Sequence, residues 1–233
     1  MRVKGDIEVD VTKDDQIVQE FLVRLKGKYG GRQRREGIHL TDLIYCITKK
    51  FWGEQVDFTP PDNAVLLWAI GIGLEEVLLV DDESTNRPEP KTLDGIMVSP
   101  DYILKSQGGL GELKSTRISI PKDSLEPKFG WSSGWIQQMK GYCYAYGLTE
   151  YHLAVYLVIP AEIRGFTFSF TQQELDDFWA YMIDRRKRLE QSLAQRIAPE
   201  PFAYCEAWEC KRCSALTLCE VMKDTGKFIP KEG

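Results

Sequence analysis

The sequence predicts a mixed α/β fold, and three observations carry that prediction. Apolar residues recur at helical spacing near both ends of the chain, three short strand-like segments fall between residues 91 and 120, and two more fall between residues 151 and 171. The order is helices, three strands, a helix, two strands and a long helix. At 233 residues the chain is long enough for one substantial core, and it shows neither an internal repeat nor a low-complexity linker. One domain spanning residues 1–233 is expected.

The opening "MRVKGDIEVDV" alternates like a strand and is not a signal peptide, so a soluble, cytoplasmic protein is expected. Residues 12–31 begin with a capping-box pattern at Thr12 and Asp15 and end at glycines, which predicts a helix. A short amphipathic helix follows over 40–52. A third runs over 59–80 with Asp62 as its cap. Its apolar run, residues 64–74, is too short to span a bilayer and reads as a buried helix. After the turn-rich "DDESTNRPEP" come "KTLDGIMV", "YILKS" and "GELKSTRISI", read as three strands of an antiparallel meander. Residues 132–148 read as a helix, "YHLAVYLVI" and "GFTFSFT" as strands around the turn "PAEIR", and residues 171–197 as a long helix.

The net charge of −5 argues against a nucleic-acid partner, but the charge is unevenly spread. Arg24, Lys26, Lys28, Arg32, Arg34, Arg35, Lys49 and Lys50 face only Glu36 and Asp42 between residues 24 and 50. Glu75, Glu76, Asp81, Asp82 and Glu83 stand against Arg87 further on. Arg32, Arg34 and Arg35 are candidates for contacts to a nucleic-acid backbone; a solvated surface run is the alternative. Residues 81–83 read as a solvated loop.

Glu112 and Lys114 stand two apart on a strand and so share a face, with Leu113 turned the other way. Taken alone, such a pair is most simply an exposed ion pair. The partner that changes the reading is Asp94, set among the core-like Leu93, Ile96 and Val98 of the preceding strand. Adjacent antiparallel strands run about 4.8 Å apart, so Asp94 and Glu112 are expected to share one divalent cation. With the carbonyl of Leu113 they make a hard oxygen site suited to Mg²⁺ or Mn²⁺. Lys114 would hold an attacking water or steady charge developing on a phosphate, a design for phosphodiester hydrolysis.

The stretch "LDGIMV…GELKSTR" resembles the Asp…Glu-x-Lys signature of the PD-(D/E)XK nuclease superfamily. Gln138 and Tyr142, in "QMKGY", resemble the Gln-x-x-x-Tyr motif of its RecB-type members, and residues four apart on a helix share a face. "GIGLEE" resembles a Gly-x-x-x-His motif with Glu75 in the histidine position, either as a further metal ligand or as a solvated helix end. The resemblance implies a restriction-endonuclease-like mixed β-sheet core flanked by helices, over about residues 62–195. It implies a catalytic set of Asp94, Glu112, Lys114, Gln138 and Tyr142, with metal at Glu75, Asp94, Glu112 and the Leu113 carbonyl. It also implies single-stranded DNA as substrate. Trp131, Trp135 and Tyr146 would stack on bases or pack the core.

Cys210, Cys213 and Cys219 form C-x₂-C-x₅-C, a spacing that presents successive thiolates to one metal centre. In a cytoplasmic chain metal ligation is favoured over disulfides. The fourth ligand is then Cys205 or a distant residue. The segment around Cys46 resembles the one in which CRISPR-associated exonucleases of the Cas-four type place the first cysteine of a 4Fe–4S cluster. That resemblance implies Cys46, Cys210, Cys213 and Cys219 as ligands, with Cys205 spare. The iron–sulfur subdomain, formed by about residues 37–55 and 200–222, would join the N- and C-terminal parts. Zinc also suits four cysteines. Cys143 reads as a core thiol, and His39 and His152 are given no role. Two rival readings are an adaptor of the same fold that docks to partner proteins of a larger DNA-processing complex, and a zinc-stabilised restriction-type endonuclease. Exonuclease and endonuclease action are both left open, as is the oligomeric state.

Overall fold

The computed structural model describes residues 15–30, 36–79, 87–104, 109–121, 124, 125, 127, 130–211 and 213–225. The N-terminal strand, the Thr12 cap, the acidic loop at 81–83 and the cluster Arg32, Arg34 and Arg35 lie outside the described residues.

Helix α1 (Asp15–Leu25) runs into a π-helical turn, Lys26–Gly30. The short strand β1 (Ile38–His39) leads into α2 (Leu40–Ile44) and α3 (Ile47–Gln55), and α4 (Asp62–Leu78) follows. Strands β2 (Lys91–Leu93), β3 (Ile96–Val98), β4 (Tyr102–Leu104) and β5 (Gly109–Thr116) precede α5 (Ser133–Tyr146). Strands β6 (Glu150–Leu157) and β7 (Glu162–Ser169) precede the long α6 (Gln172–Gln195), and α7 (Ala207–Cys210) and α8 (Leu216–Thr225) end the described chain.

Two mixed sheets result. In one, β3 lies between β1, which runs parallel to it, and β2, which is antiparallel. The other has the order β4-β5-β6-β7, antiparallel except for the parallel pair β5 and β6. Two parallel neighbours need a long crossover, and here it contains α5. Helices α5 and α6 pack on each other and on α2. Between helices and sheets lie the fully buried Leu43, Ile47, Phe51, Trp52, Ile96, Val98, Val155, Leu175, Trp179 and Met182. No helix of the described residues is long and apolar enough to cross a membrane.

The structure corrects three expectations. "KTLDGIMV" is a hairpin and not one strand: Asp94 and Gly95 turn the chain with φ of 48° and 71°. Asp-Gly is the dipeptide that suits a two-residue turn with both central residues left-handed. The meander therefore divides between two sheets. The helix expected over 40–52 breaks at Tyr45, and Cys46 caps α3, its sulfur accepting the amide N–H of Lys49 at 3.4 Å. Finally, α4 is not buried. Only its Val65 is enclosed, while Leu66, Leu67, Trp68 and Val77 are exposed, because α4 packs chiefly on α1, the π-helical turn and β5. Asp62 is its first residue and not its cap, paired with Lys26 at 2.5 Å.

Candidate active site

Strand β5 is paired along both edges, by β4 and β6, and is buried from Leu110 to Leu113, with Glu112 only 3% exposed. A carboxylate so placed must be satisfied by neighbours. Its Oε1 accepts from Lys114 Nζ at 2.5 Å and from Gln138 Nε2 at 2.6 Å, and its Oε2 from the Tyr151 hydroxyl at 3.5 Å. Gln138 also donates to the Tyr142 hydroxyl at 2.8 Å. The crossover from β5 to β6 lays α5 over this face, and the i, i+4 spacing turns Gln138 and Tyr142 towards it together. Gly141, on the same helix, meets Leu40 so closely that a Cβ would stand 2.4 Å from Cδ2. That contact sets how near α5 lies to α2.

The second acid is Asp101. It precedes β4, donates its own N–H to the Gly111 carbonyl at 3.2 Å, and accepts the Leu113 N–H on Oδ2 at 2.9 Å. A strand residue's N–H and C=O point to the same side, so the Leu113 carbonyl is turned towards Asp101 beyond the end of β4. Asp94 does not share this place, contrary to the expectation that it lies on the strand beside Glu112. The neighbours of β5 are β4 and β6, and the Asp94 carboxylate sits in the hairpin turn, where it accepts Trp179 Nε1–H at 2.9 Å. Asp101 was legible only indirectly: once Asp-Gly is taken as a turn, the next aspartate before "GELK" stands at the start of "YIL".

Burial pushes the Glu112 carboxyl up to about 7; Lys114 pulls it down, and Asp101 and Glu75 add to the rise. Burial likewise raises Asp101, against the pull of Lys114 and the Leu113 N–H. Burial opposes the charge of Lys114, but Glu112 and Asp101 outweigh it, and the ammonium is held above its ordinary range. Lys114 remains about a fifth exposed, at 22%. Beside the pair opens a cavity of about 510 Å³, lined by Glu75, Arg87, Asp101, Glu112, Gln138 and Tyr142. Glu75 accepts from Arg87 at 3.4 Å.

Glu112, whose proton affinity Asp101 and Glu75 raise, is joined by those two acids and a strand carbonyl; all are hard oxygen donors, and their chemistry fits a divalent cation. Among the described residues, no three His, Cys, Asp or Glu side chains already converge closely enough to hold one.

The cysteines also gather. Cys213 and Cys219 each lie within charge range of Cys46 and Cys210. Cys205, expected to be spare, stands beside them: its sulfur is 3.1 Å from that of Cys210, and it also reaches Cys46. Burial, reinforced by the neighbouring thiols, pushes Cys219 up to about 11 and raises Cys205 and Cys213. A soft metal centre would relieve that mutual opposition by taking the thiolates as ligands. Cys143 is buried away in the core, and burial pushes its thiol up to about 12.

Sequence reasoning missed Arg185. It is 4% exposed and donates to the carbonyls of Leu43 at 2.5 Å, Tyr45 at 2.7 Å and Tyr204 at 3.2 Å. It thereby fastens the α2–α3 break and the cysteine-bearing C-terminal segment to α6. One arginine in "IDRRKR" has no local signal that sets it apart from the others.

No family model and no curated protein matches the sequence. Among solved structures, the alkaline exonuclease LHK-Exo from Laribacter hongkongensis is 11% identical, with 75% of this chain and 95% of that one covered at a TM-score of 0.40. A phage-related exonuclease from Haemophilus somnus 129PT is 12% identical, with 78% and 84% covered at a TM-score of 0.35. SSO0001 is 18% identical over 87% of this chain and 96% of that one, with a TM-score of 0.50, and this chain shares its fold.

Proposed function

We propose that this chain is a metal-dependent deoxyribonuclease of the PD-(D/E)XK type. The observation that carries the reading is the convergence of Lys114 and Gln138 on one buried carboxylate oxygen of Glu112, with Asp101, just before β4, bonded to the N–H of Leu113 beside it. Asp101, Glu112 and the Leu113 carbonyl would hold Mg²⁺ or Mn²⁺, with Glu75 at the cavity wall as a further donor. Such a cation, when bound, supplies Lewis-acid stabilisation of phosphate charge. Lys114, kept charged by its acidic neighbours, orients the water or faces the negative charge that builds on the phosphate. Gln138 fixes the Glu112 rotamer and is itself steadied by Tyr142. Single-stranded DNA is the proposed substrate, with Arg32, Arg34 and Arg35 as backbone contacts. Digestion of single-stranded DNA with Mg²⁺ or Mn²⁺ tests the reading. Lys114→Ala is expected to lower the rate by roughly 10²- to 10³-fold, and equal rates in both proteins would overturn it.

In the same reading Cys46, Cys210, Cys213 and Cys219 hold a 4Fe–4S cluster. The charge that each of Cys213 and Cys219 feels from Cys46 and Cys210 supports the set, and Cys205, in contact with both Cys210 and Cys46, competes for a place in it. Anaerobically purified protein is expected to contain iron and acid-labile sulfide in near-equal amounts. Zinc in their place would replace the cluster with a structural zinc site.

A further inference from the structure

Helix α4 packs on β5, and its Glu75 borders two cavities. One is the 510 Å³ space that Asp101 and Glu112 line. The other, of about 190 Å³, is bordered by Gly71, Leu74 and Glu75 of α4, by Lys114 and Ser115 of β5, and by Trp135 of α5. Each partner of the bonded Glu112–Lys114 pair therefore borders a different cavity.

Gly71, Leu74 and Glu75 follow i, i+3, i+4 spacing and share one face of α4. A glycine in mid-helix weakens the helix relative to alanine. Here neither a left-handed backbone nor a close neighbour requires one, since an added Cβ at Gly71 meets no atom within 4 Å. What the missing side chain leaves is room beside Lys114. The walls of that room pair an indole and a leucine with an ammonium and a hydroxyl. An aromatic plate beside a cation is the combination that holds a base and its backbone in single strands. Three aromatic residues were expected to stack on bases or to pack the core. Trp131 stands edge-on to Phe166 and Phe168, with centroids 4.8 and 5.1 Å away. Tyr146 donates to the Glu89 carbonyl at 2.5 Å, with the Lys91 ammonium over its ring. Trp135 borders the smaller cavity, and neither of the others borders either one.

We propose that the 190 Å³ cavity is a nucleobase subsite for single-stranded DNA. The base next to the phosphate held at Glu112 and Lys114 stacks on Trp135, and Gly71 leaves the space that admits it. The placing of that phosphate rests on the nuclease reading; the stacking of a base on Trp135 does not need cleavage.

The probe is a single-stranded oligothymidylate carrying one 2-aminopurine, placed at successive positions and bound to the full chain in EDTA, which prevents metal-dependent cleavage. A 2-aminopurine stacked on an indole loses its fluorescence. Quenching is expected at one position of the strand with the wild type. Trp135→Leu is expected to abolish it and to weaken binding roughly tenfold. Gly71→Leu, which fills the cavity, is expected to do the same with Trp135 still in place. Gly73→Leu is the control: an added Cβ there also meets nothing within 4 Å, and Gly73 borders neither cavity. Both glycine variants introduce a good helix former into α4, so helix stability does not separate them. Gly73→Leu is expected to keep the quench, with affinity within about twofold of the wild type. A quench that survives Gly71→Leu would overturn the proposal. So would equal effects of the two glycine variants, or a wild type that binds no single-stranded DNA. If the quench depends on Trp135 and Gly71 but the wild type cuts no DNA with Mg²⁺ or Mn²⁺, the subsite stands and the nuclease reading falls.

Discussion

Glu112 sets the terms of the site. It is the buried acid on which a lysine, a glutamine and a tyrosine all converge. Its carboxyl is raised from an ordinary value of 4.5 to about 7 by burial, with Asp101 and Glu75 adding to the rise and Lys114 opposing it. The metal-free protein therefore favours the protonated acid more than the unfolded chain does. The sign follows from that difference: stability drawn from this group is complete below pH 4.5 and is lost as the pH rises through about 7. Glu112→Gln is permanently neutral, so in EDTA the wild type is expected to lose stability relative to this variant by about 3 kcal/mol between those two pH values. Denaturant titrations of both proteins at several pH values measure it, and parallel curves would show that Glu112 does not hold its proton. The sequence made Glu112, Lys114, Gln138 and Tyr142 legible because two fixed periods, two on a strand and four on a helix turn, put each pair on one face. It left Arg185 hidden because backbone carbonyls from three separate segments are its partners, and no spacing encodes them.

Among the elements, the β2–β3 hairpin and the start of β4 decide which aspartate belongs to the site. Asp94 holds a left-handed turn and the Trp179 indole, whereas Asp101 takes the Leu113 N–H of β5 beyond the end of β4. Asp94→Ala is expected to cost about 1–2 kcal/mol through the lost hydrogen bond and the left-handed backbone, while cleavage per folded molecule changes less than about twofold. Asp101→Ala is expected to have the reverse profile: a loss of about 10² or more in rate with a melting temperature near that of the wild type. Thermal melts beside nuclease assays separate the two, and inactivity of a well-folded Asp94→Ala would return that residue to the site. The misreading of "KTLDGIMV" arose where alternation and turn chemistry disagreed, and turn chemistry won. The exposed α4 has a different cause: its apolar composition fits a buried helix, but among the described residues no sheet or second helix layer covers Leu66, Leu67 and Trp68. The elements over 132–148 and 171–197 were legible almost to the residue, since α6 carries a full capping box at Thr171 and Glu174, and α5 ends at the left-handed Gly147.

Across the whole molecule, Arg185 is the point where early and late parts of the chain meet. Its neighbours are carbonyls and the Tyr181 hydroxyl, with Tyr181 and Tyr204 rings over the guanidinium. Arg185→Leu leaves three carbonyls without this donor and is expected to destabilise the fold by about 3 kcal/mol or more. Arg185→Lys is expected to recover less than half of that loss, because an ammonium lacks the planar fork that reaches several acceptors at once. Chemical unfolding of the two variants gives the comparison, and full recovery by lysine would reduce Arg185 to a simple point charge. The same fastening also imposes a timetable on the newborn chain. Leu43 precedes Arg185 by 142 positions, so a ribosome adding about 5–20 residues per second makes the arginine about 7–28 s after the Leu43 carbonyl it holds. Until then the segment bearing Tyr45 and Cys46 lacks this anchor, and a polypeptide released before α6 lacks the means to supply it. Assembly of the clasp is thereby reserved for full-length translation products.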